Sequence, residues 1–535
     1  MTLQELQPEV IGRRVYLETF GCQMNELDSE LVRGQLVALG YRFVREPAGA
    51  DVILYNTCSV REQAENKALS RVGRIAIEKK QGREVVLGLI GCLAEREGEK
   101  LLDRFPAIDL LCGPGELDKL PMLLNNVSTM RQVERADRIA LQGSNSRRAS
   151  TLAAAEDTLE MLDLSRAFDP DGAPAGGRAA YARITRGCNK FCTYCVVPFT
   201  RGAEVHRPPD AIVDECRRLA DAGVIEVTLL GQTVNHYLYT HGTAVRVNGI
   251  EAPQIGPGAR AFRANGHASA GRTTTFADLL RRIHDEVPAI QRLRFVTSYP
   301  RDFSDEALRA MAECPRICRY LHVPAQSGSD RILGTMNRGY TVDEYLAFIE
   351  RARAIVPDVC IAGDVIVGFP GETDHDFEAT KRLLERVRYK NCFIFKYSPR
   401  PGTLAHDRLP DDVPEAVKRR RNNELLDLQS RISAELHAAW VGRIVEVFVE
   451  QVSPGSRKRG GSIELGWERP REQLSGRTGG DLIVVFDAPP GMTGADLIGR
   501  ILSVKVENSG PLILHGTPVG WVAEATEATE AGLAV

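Results

Sequence analysis

Three cysteines crowd into eight residues, in the string Cys188-Asn-Lys-Phe-Cys192-Thr-Tyr-Cys195. With three and then two residues between them, their thiolates can wrap one side of a metal cluster. Soft sulfur ligands select 4Fe–4S centres, and three ligands to four irons leave one iron open for a small molecule. A structural zinc site would use paired CxxC-type knuckles, and no matching second knuckle follows. A second trio is scattered in sequence but regular in context. Cys22 follows a strand-like run ending at Phe20, Cys58 one ending at Tyr55, and Cys92 one ending at Ile90. Their separations, 36 and 34 residues, each fit one strand–helix unit. Parallel strands then set all three thiols along one carboxyl edge of a sheet, where open α/β folds bind ligands. Each precedes a helix, whose N-terminus favours thiolates and an anionic cluster. Gly21 and Gly91 allow close backbone approach. This trio reads as a second iron–sulfur site. The other six of the 12 cysteines (Cys112, Cys216, Cys314, Cys318, Cys360 and Cys392) read as packing. Cys314 and Cys318 are a helical turn apart, but Pro315 disfavours a helix there.

Elements that could position these thiols follow from the apolar patterning. Strand-like and helix-like runs alternate over residues 13–124, which predicts a parallel α/β sheet domain. Residues 125–177 lose apolar periodicity and read as a linker, with one helix around 155–168. Residues 178–434 alternate again, with six strand candidates. Six units are too few for a closed eight-stranded barrel but suit a partial (β/α)6 barrel with Cys188 on its active rim. The stretch 239–272, rich in Gly, Ala, Arg and Asn, reads as a surface insertion. Residues 441–522 carry short β-rich runs separated by turn residues, which predicts a small all-β barrel. Residues 523–535 are a low-complexity tail. The fold class is therefore α/β with an appended β-barrel.

Bulk properties narrow the function classes. The 535 residues are ample for several cores, so cysteines are not needed as disulfide staples. Lys and Arg total 68 against 71 for Asp and Glu, a net charge of −3 that excludes a histone-like binder but not a local basic face. Neither a secretory leader nor an apolar run of ~18 residues is evident, so a reducing, cytoplasmic setting is expected.

The two cysteine trios resemble those of the radical S-adenosylmethionine (SAM) methylthiotransferase family. The first matches its CxxxCxxC signature. The strings Thr19 to Asn25, Asn56 to Val60 and Gly91 to Ala94 resemble its N-terminal domain. Val441 to Arg443, Gly476 to Thr478 and Val484 to Phe486 are similar to the TRAM RNA-binding module. The runs Gly187 to Gly202, His322 to Ser329, Met336 to Thr341, Asp364 to Thr373 and Phe395 to Thr403 are most similar to the branch acting on N6-isopentenyladenosine beside the tRNA anticodon. Departures are Ser298-Tyr299-Pro300, where the family usually reads Ser-His-Pro, and the 239–272 insertion.

The resemblance implies two 4Fe–4S clusters and two uses of SAM. Cys188, Cys192 and Cys195 would hold the cluster that cleaves SAM to a radical, which removes hydrogen from C2 of the adenine. Cys22, Cys58 and Cys92 would hold the cluster that carries the sulfur. Both must face one cavity, so the sheet's carboxyl edge must point at the barrel mouth. For SAM, the resemblance suggests Tyr194 on the adenine, Gly231 and Gln232 at the amino group, Gln326, Ser327 and Gly328 at the ribose, and Gly368 and Glu372 near the adenine. Ordinary alternatives are a rim aromatic, a loop turn, serine capping and the tight turn at Pro370-Gly371. For tRNA it suggests Lys418, Arg419, Arg420 and Arg421 on a helix, and Arg443, Arg457, Lys458, Arg459 and Arg477 in the small barrel. Glu446, Glu464 and Glu468 dilute that charge. A solvated helix face is the ordinary alternative for the basic run, and the three tryptophans read as core. An electron donor, a sulfur source and a monomeric state complete the expectation. Competing readings are the same chemistry on threonylcarbamoyl-adenosine or a ribosomal protein, and a non-enzymatic RNA-binding iron–sulfur protein.

Overall fold

Parallel pairing organises the first 140 residues. Strands β1 (Arg14–Phe20), β2 (Arg42–Phe43), β3 (Val52–Thr57), β4 (Val86–Ile90), β5 (Leu110–Cys112) and β6 (Ile139–Ala140) form one sheet in the order β2-β1-β3-β4-β5-β6, every neighbour parallel. β3 is buried along its whole length because helices cover both faces. Its alternate residues feed two cores, Val52 and Leu54 on one side, Ile53 and Tyr55 on the other. Helices α1 (Gln23–Ala38), α2 (Glu62–Lys80) and α3 (Cys92–Glu97) follow β1, β3 and β4. The sheet's edge strand β6 and the helix Leu120–Thr129 draw on the stretch read from sequence as linker. A two-residue strand has no period for a sequence to display. The structure, a computed structural model, describes residues 12–129, 134–142, 162–163, 174–242, 246–247, 250–256, 272–453 and 472–521. The helix expected at 155–168 lies almost wholly outside these, as does the tail.

The central piece continues with β7 (Ala179–Arg183), β8 (Thr185–Arg186), β9 (Val205–His206), β10 (Glu226–Leu230) and β11 (Leu238–Thr240). Then come β12 (Arg246–Val247), β13 (Ile250–Glu251), β14 (Gln254–Ile255), β15 (Thr273–Thr275) and β16 (Arg292–Phe295). It closes with β17 (Tyr320–His322), β18 (Cys360–Val367) and β19 (Asn391–Lys396). Six of these form the expected partial barrel. β7, β10 and β16 pair in parallel, as do β17, β18 and β19, and a parallel bridge between Leu293 and Ile317 joins the halves. Val227, Leu229, Leu293, Phe295, Leu321 and Val365 point outward into the core beneath the helices. Thr275–Asp278, Thr341–Glu344 and Thr373–Asp376 capping boxes start three of those helices. The helix Asp305–Glu313 stops at Cys314, where Pro315 prevents its continuation.

Part of the 239–272 stretch is built into the domain. β11 pairs with β15, and β14 pairs with β9. Tyr239 is fully buried and donates its hydroxyl to Ala252 O at 2.9 Å.

Strands β20 (Ile444–Val452), β21 (Gln473–Arg477), β22 (Ile483–Asp487), β23 (Ile501–Ser509) and β24 (Leu514–Trp521) close a small five-stranded barrel in the order β20-β21-β22-β24-β23. The β21–β22 turn caps the amino end of the central barrel. Arg292 Nη1 donates to Arg477 O at 2.9 Å, Arg294 Nη2 to Thr478 O at 2.5 Å, and Lys390 Nζ to Asp481 Oδ2 at 2.6 Å. Among the described residues no helix is long and apolar enough to cross a membrane.

Candidate active site

The first trio occupies the loop that leaves the barrel after β8. Gly187 has φ +72°, and a Cβ there would lie 1.9 Å from Ala203 O, so only glycine admits this turn. Phe191 takes φ +49° at the loop's tip and stands 54% exposed. Asn337 Nδ2 ties that tip down, donating to Phe191 O at 3.0 Å. Thr193 is fixed from both sides: its N–H and hydroxyl donate to Met336 O and Thr335 O, and its own carbonyl accepts from Ala405 N at 2.8 Å. Burial pushes the Cys188 thiol up to about 12, and burial likewise raises Cys195. Arg338, itself buried, offsets this locally, with Nη1 3.4 Å from Cys192 Sγ. Tyr299, the residue that departs from the family string, lies between Arg338 at 4.8 Å and Lys190 Nζ at 4.1 Å from its ring centre.

Behind Cys188 runs a buried chain of charged groups: Lys190 to Asp302, Asp302 to His236, His236 to Glu204, and Glu204 to His206. Although burial opposes ionisation of Glu204, hydrogen bonds from His206 and His236 hold it below the usual carboxylate range. Gly256, from the inserted stretch, donates its N–H to Glu204 O at 2.8 Å and packs on His206. The insertion thus shields this network from the far side.

The second trio assembles as the strand spacing requires. Cys22 caps α1, Cys58 follows β3, and Cys92 opens α3 behind Gly91 at φ +90°. The turns are tight: a Cβ on Gly91 would meet Asn56 Oδ1 at 2.3 Å, and one on Gly21 would meet Cys58 Cβ at 2.8 Å. Buried amides hold the loops together. Asn25 Nδ2 donates to Asn56 Oδ1 at 2.9 Å, and Asn56 Nδ2 to Asn25 O at 2.8 Å and Ser29 Oγ at 2.9 Å. Cys22 and Cys58 share a hydrogen bond that makes Cys22 the more acidic of the two, helped by the charge of Arg201.

The sheet domain sits across the barrel mouth and touches both ends of the strand array. On the β7 and β10 side, Met24, Leu27 and Leu31 of α1 pack with Leu230, and Cys22, Tyr181 and Val296 complete that cluster. Tyr181 donates to Glu26 Oε2 at 2.8 Å. On the β19 side, Ser398 Oγ donates to Glu62 Oε2 at 3.0 Å, and Arg400 donates to Glu65 Oε2 at 3.1 Å and Val60 O at 3.4 Å. Glu65 also accepts two bonds from Arg96. Val60, two residues past Cys58, remains exposed.

Between these contacts the lumen presents aromatic surface. Cys392 packs into the outer core and Ile394 against it, so strand alternation turns Phe393 and Phe395 inward. They stack at 6.4 Å and 18°, and stay 47% and 39% exposed. Asp364 and Ile366 stand opposite them on β18, and His322 Nε2 pairs with Asp364 Oδ1 at 3.0 Å.

The residues suit sulfur-bound clusters and a polar cofactor. Among the described residues no three His, Cys, Asp or Glu groups converge closely enough for a single metal ion. A cubane cluster takes one thiolate per iron and so accepts a wider spread. Buried acceptors collect at both trios: Thr185 Oγ1, Gln232 Oε1 and Ser298 Oγ at the barrel strand ends, and Thr57 Oγ1 and Ser59 Oγ beside Cys58, have no hydrogen-bond partner among the described residues. Buried polar atoms are seldom left so, and a polar ligand would satisfy them.

The other expected SAM contacts divide. Gln326, buried, adopts φ +75° and bridges to β18 through its backbone. Gly231 lies against Thr185, where a Cβ would be 2.1 Å from Oγ1. Tyr194 is half-buried in a satellite cluster, edge-on to Phe369 at 6.4 Å. Ser327 accepts from Ser329 N, and Gly328 donates to Thr380 Oγ1 with helix backbone at its α-carbon, so both serve loop packing. Glu372 Oε2 is taken up by Gly368 N at 2.6 Å and Arg421 Nη1 at 2.6 Å, and burial raises its pKa.

The basic run needs correction. Lys418 and Arg421, one helical turn apart, point inward: Lys418 pairs with Asp411, and Arg421 with Glu372 and Asp374. Arg419 and Arg420 alone are exposed. Arg477 is paired with Glu450 and Asp481 at the junction with the central barrel. Arg443 is exposed and lies over Trp440 at 5.3 Å. Arg457, Lys458 and Arg459 lie outside the described residues. Sequence reasoning missed Arg201, Arg338, Arg400, Phe393 and Phe395. The signal was present for Arg201, Arg338, Phe395 and Arg400, which sit inside the strings already singled out.

Comparison with known proteins agrees. Residues 183–384 match the Radical SAM superfamily, and residues 14–113 match Uncharacterized protein family UPF0004. A tRNA-2-methylthio-N(6)-dimethylallyladenosine synthase from Rhodopirellula baltica is 41% identical over 510 residues, covering 93% of this chain and 97% of that one. One of the same name from Syntrophotalea carbinolica is 36% identical over 491 residues, covering 92% and 96%. Among solved structures, the radical S-adenosylmethionine methyltransferase TsrM from Kitasatospora setae, with cobalamin and a [4Fe-4S] cluster bound, aligns at 16% identity with a TM-score of 0.47 over 74% of this chain and 77% of that one.

Proposed function

Because the chain belongs to the tRNA-2-methylthio-N(6)-dimethylallyladenosine synthase family, within the radical SAM superfamily, we propose that it adds a methylthio group to C2 of N6-dimethylallyladenosine beside the tRNA anticodon. The observation that carries this reading is the seating of the sheet domain across the barrel mouth, with Cys22 packed among barrel-strand residues Leu230, Val296 and Tyr181. On this reading, that seating brings the two cysteine trios to one cavity. When bound there, the cluster at Cys188, Cys192 and Cys195 with SAM supplies the one-electron chemistry that C2, lacking an acidic proton, requires, and the cluster at Cys22, Cys58 and Cys92 supplies the sulfur.

The chain's own groups bind, orient and exclude water. Gln232 Oε1 and Ser298 Oγ offer free acceptors to the SAM ammonium, and Gln326 extends the polar rim. Arg338 keeps positive charge beside Cys192 in an otherwise burying environment. Phe393 and Phe395 offer the adenine and its prenyl group an apolar wall, with Val60 and Phe191 contributing exposed apolar surface at the two trios. The β21–β22 turn covers the opposite end of the lumen, away from the substrate's entry. An anticodon loop presents unpaired bases that can be turned out into such a cavity. Arg443, residues 457–459 and the outward Arg419 and Arg420 are the proposed tRNA contacts. A cytoplasmic setting, a one-electron donor and a source of replacement sulfur belong to the same reading, with the chain acting as a monomer.

Nucleosides from a strain lacking the gene test it. The methylthio group should disappear while N6-dimethylallyladenosine accumulates; an unchanged methylthiolated pool of this nucleoside overturns it. The reduced, purified protein should form 5′-deoxyadenosine from SAM, which a purely RNA-binding protein would not.

A further inference from the structure

The loop that carries the first trio does not end its work at Cys195. Six residues on, Arg201 follows the short helix Val197–Thr200 and turns its side chain out of the barrel domain into the sheet domain. It is 6% exposed, and Nη2 lies 2.7 Å from Asp28 Oδ2. Asp28 is on α1, fully buried, six residues past Cys22. The other Asp28 oxygen has no partner among the described residues. Arg201 therefore stands on the second trio's own ground: its charge acts on both Cys22 and Cys92. The peptide segments agree, since α3, which begins at Cys92, packs against the Val197–Thr200 helix.

A buried guanidinium is costly unless its charge and its five N–H groups are matched. Asp28 matches one charge through one of two oxygens. The guanidinium charge also acts on Cys92 and Cys22, and three thiolates on a cluster hold negative charge for it to offset. Net charge and hydrogen bonds to sulfur are the main levers a protein has on the potential of such a cluster. We propose that Arg201 is a positioning residue for the second cluster: it donates to the thiolate sulfurs of that trio from across the domain boundary and raises the cluster's reduction potential. The proposal rests on the reading that Cys22, Cys58 and Cys92 hold a cluster. It implies that the sulfur-carrying site is completed only when the barrel domain is docked, because its cation comes from the loop of the other trio.

The test uses the full chain with Cys188, Cys192 and Cys195 replaced by Ala, so that only the second cluster is present. Midpoint potential and EPR spectrum are measured for this protein and for added Arg201→Met, Arg201→Lys and Asp28→Asn. Arg201→Met should lower the potential and change the g-values. Arg201→Lys, which keeps the charge, should recover most of the potential. Asp28→Asn leaves the guanidinium facing the sulfurs with less competition and should move the potential the opposite way. A wild-type potential in iron-loaded Arg201→Met overturns the proposal, as do equal effects of Arg201→Met and Asp28→Asn, which would mark the pair as a domain latch alone. If the parent protein with Arg201 intact binds no cluster, the assignment of the second trio fails instead.

Discussion

Phe395→Ala should remove much of the enzyme's preference for a prenylated base. The ring is 39% exposed and its stacked neighbour Phe393 47%, so folding leaves this apolar surface uncovered. Complete burial of a phenylalanine stabilises by about 1.5–3 kcal/mol, so truncating a partly exposed one costs the fold about 1 kcal/mol. A dimethylallyl group has five carbons, worth about 4 kcal/mol at ~0.8 kcal/mol each if fully buried. With one of two stacked walls gone, about 1–2 kcal/mol of that is lost, which is about 5–30-fold in kcat/KM. The assay compares two anticodon stem-loops that differ only in carrying dimethylallyl or methyl on N6, with methylthiolation followed by mass spectrometry. The variant should fall by that factor on the prenylated stem-loop and little on the methylated one. Its cleavage of SAM without RNA should be unchanged. An equal fall on both substrates would refute the reasoning, since the ring would then be shaping the cavity rather than contacting the prenyl group. So would no fall on either.

Three other substitutions probe separate parts of the argument. Cys58→Ala should spare reductive cleavage of SAM and block methylthiolation, with iron falling from about eight to about four per chain by chemical assay. Gly187→Ala should empty the first site instead, because the new Cβ would lie 1.9 Å from Ala203 O at φ +72°; iron again falls to about four, but 5′-deoxyadenosine is no longer formed. Glu65→Ala strands Arg400, whose side chain is 10% exposed, leaves Arg96 with Glu97 alone, and should cost about 3 kcal/mol, seen as a lower Tm and faster hydrogen exchange at 398–400. Glu306→Ala, which breaks an exposed pair with Arg309, is its control at about 0–1 kcal/mol.

Cysteine context carried most of the site. The spacing of Cys22, Cys58 and Cys92 by one strand–helix unit was enough to place three thiols on one sheet edge, because parallel strands bring equivalent ends together. The same alternation gave the sheet and the six-stranded partial barrel. The basic run 418–421 was readable in part: a 3.6-residue period separates 418 and 421 from 419 and 420, but not which pair faces the core. That depended on Glu372, 49 residues from Arg421, and on how the turn carrying Asp411 folds back on the helix. Arg201 lies within the Gly187 to Gly202 string, but its role was not legible for a related reason. A buried arginine in a loop looks like a surface arginine until its carboxylate, 173 residues away, is brought beside it. Phe393 and Phe395 alternate with Cys392 and Ile394, so the strand reads apolar on both faces. Nothing in that pattern says that one face fills a core while the other lines a cavity. The insertion read as surface because its composition is polar, yet Tyr239 and Gly256 are locked against the domain by bonds that composition does not report.

The β21–β22 turn seals the end of the central barrel opposite the mouth. The small β-barrel is thus fixed at one pole, and the cysteine trios stand at the other. Strand β18, eight residues long, spans the interval; at about 3.3 Å per residue the poles are roughly 25 Å apart. On the proposed function, an RNA that touched the small barrel while its base entered the mouth would have to reach across that interval. A single nucleoside is too short for this, and a stem with its loop is long enough. The barrel's depth would then act as a ruler on the substrate.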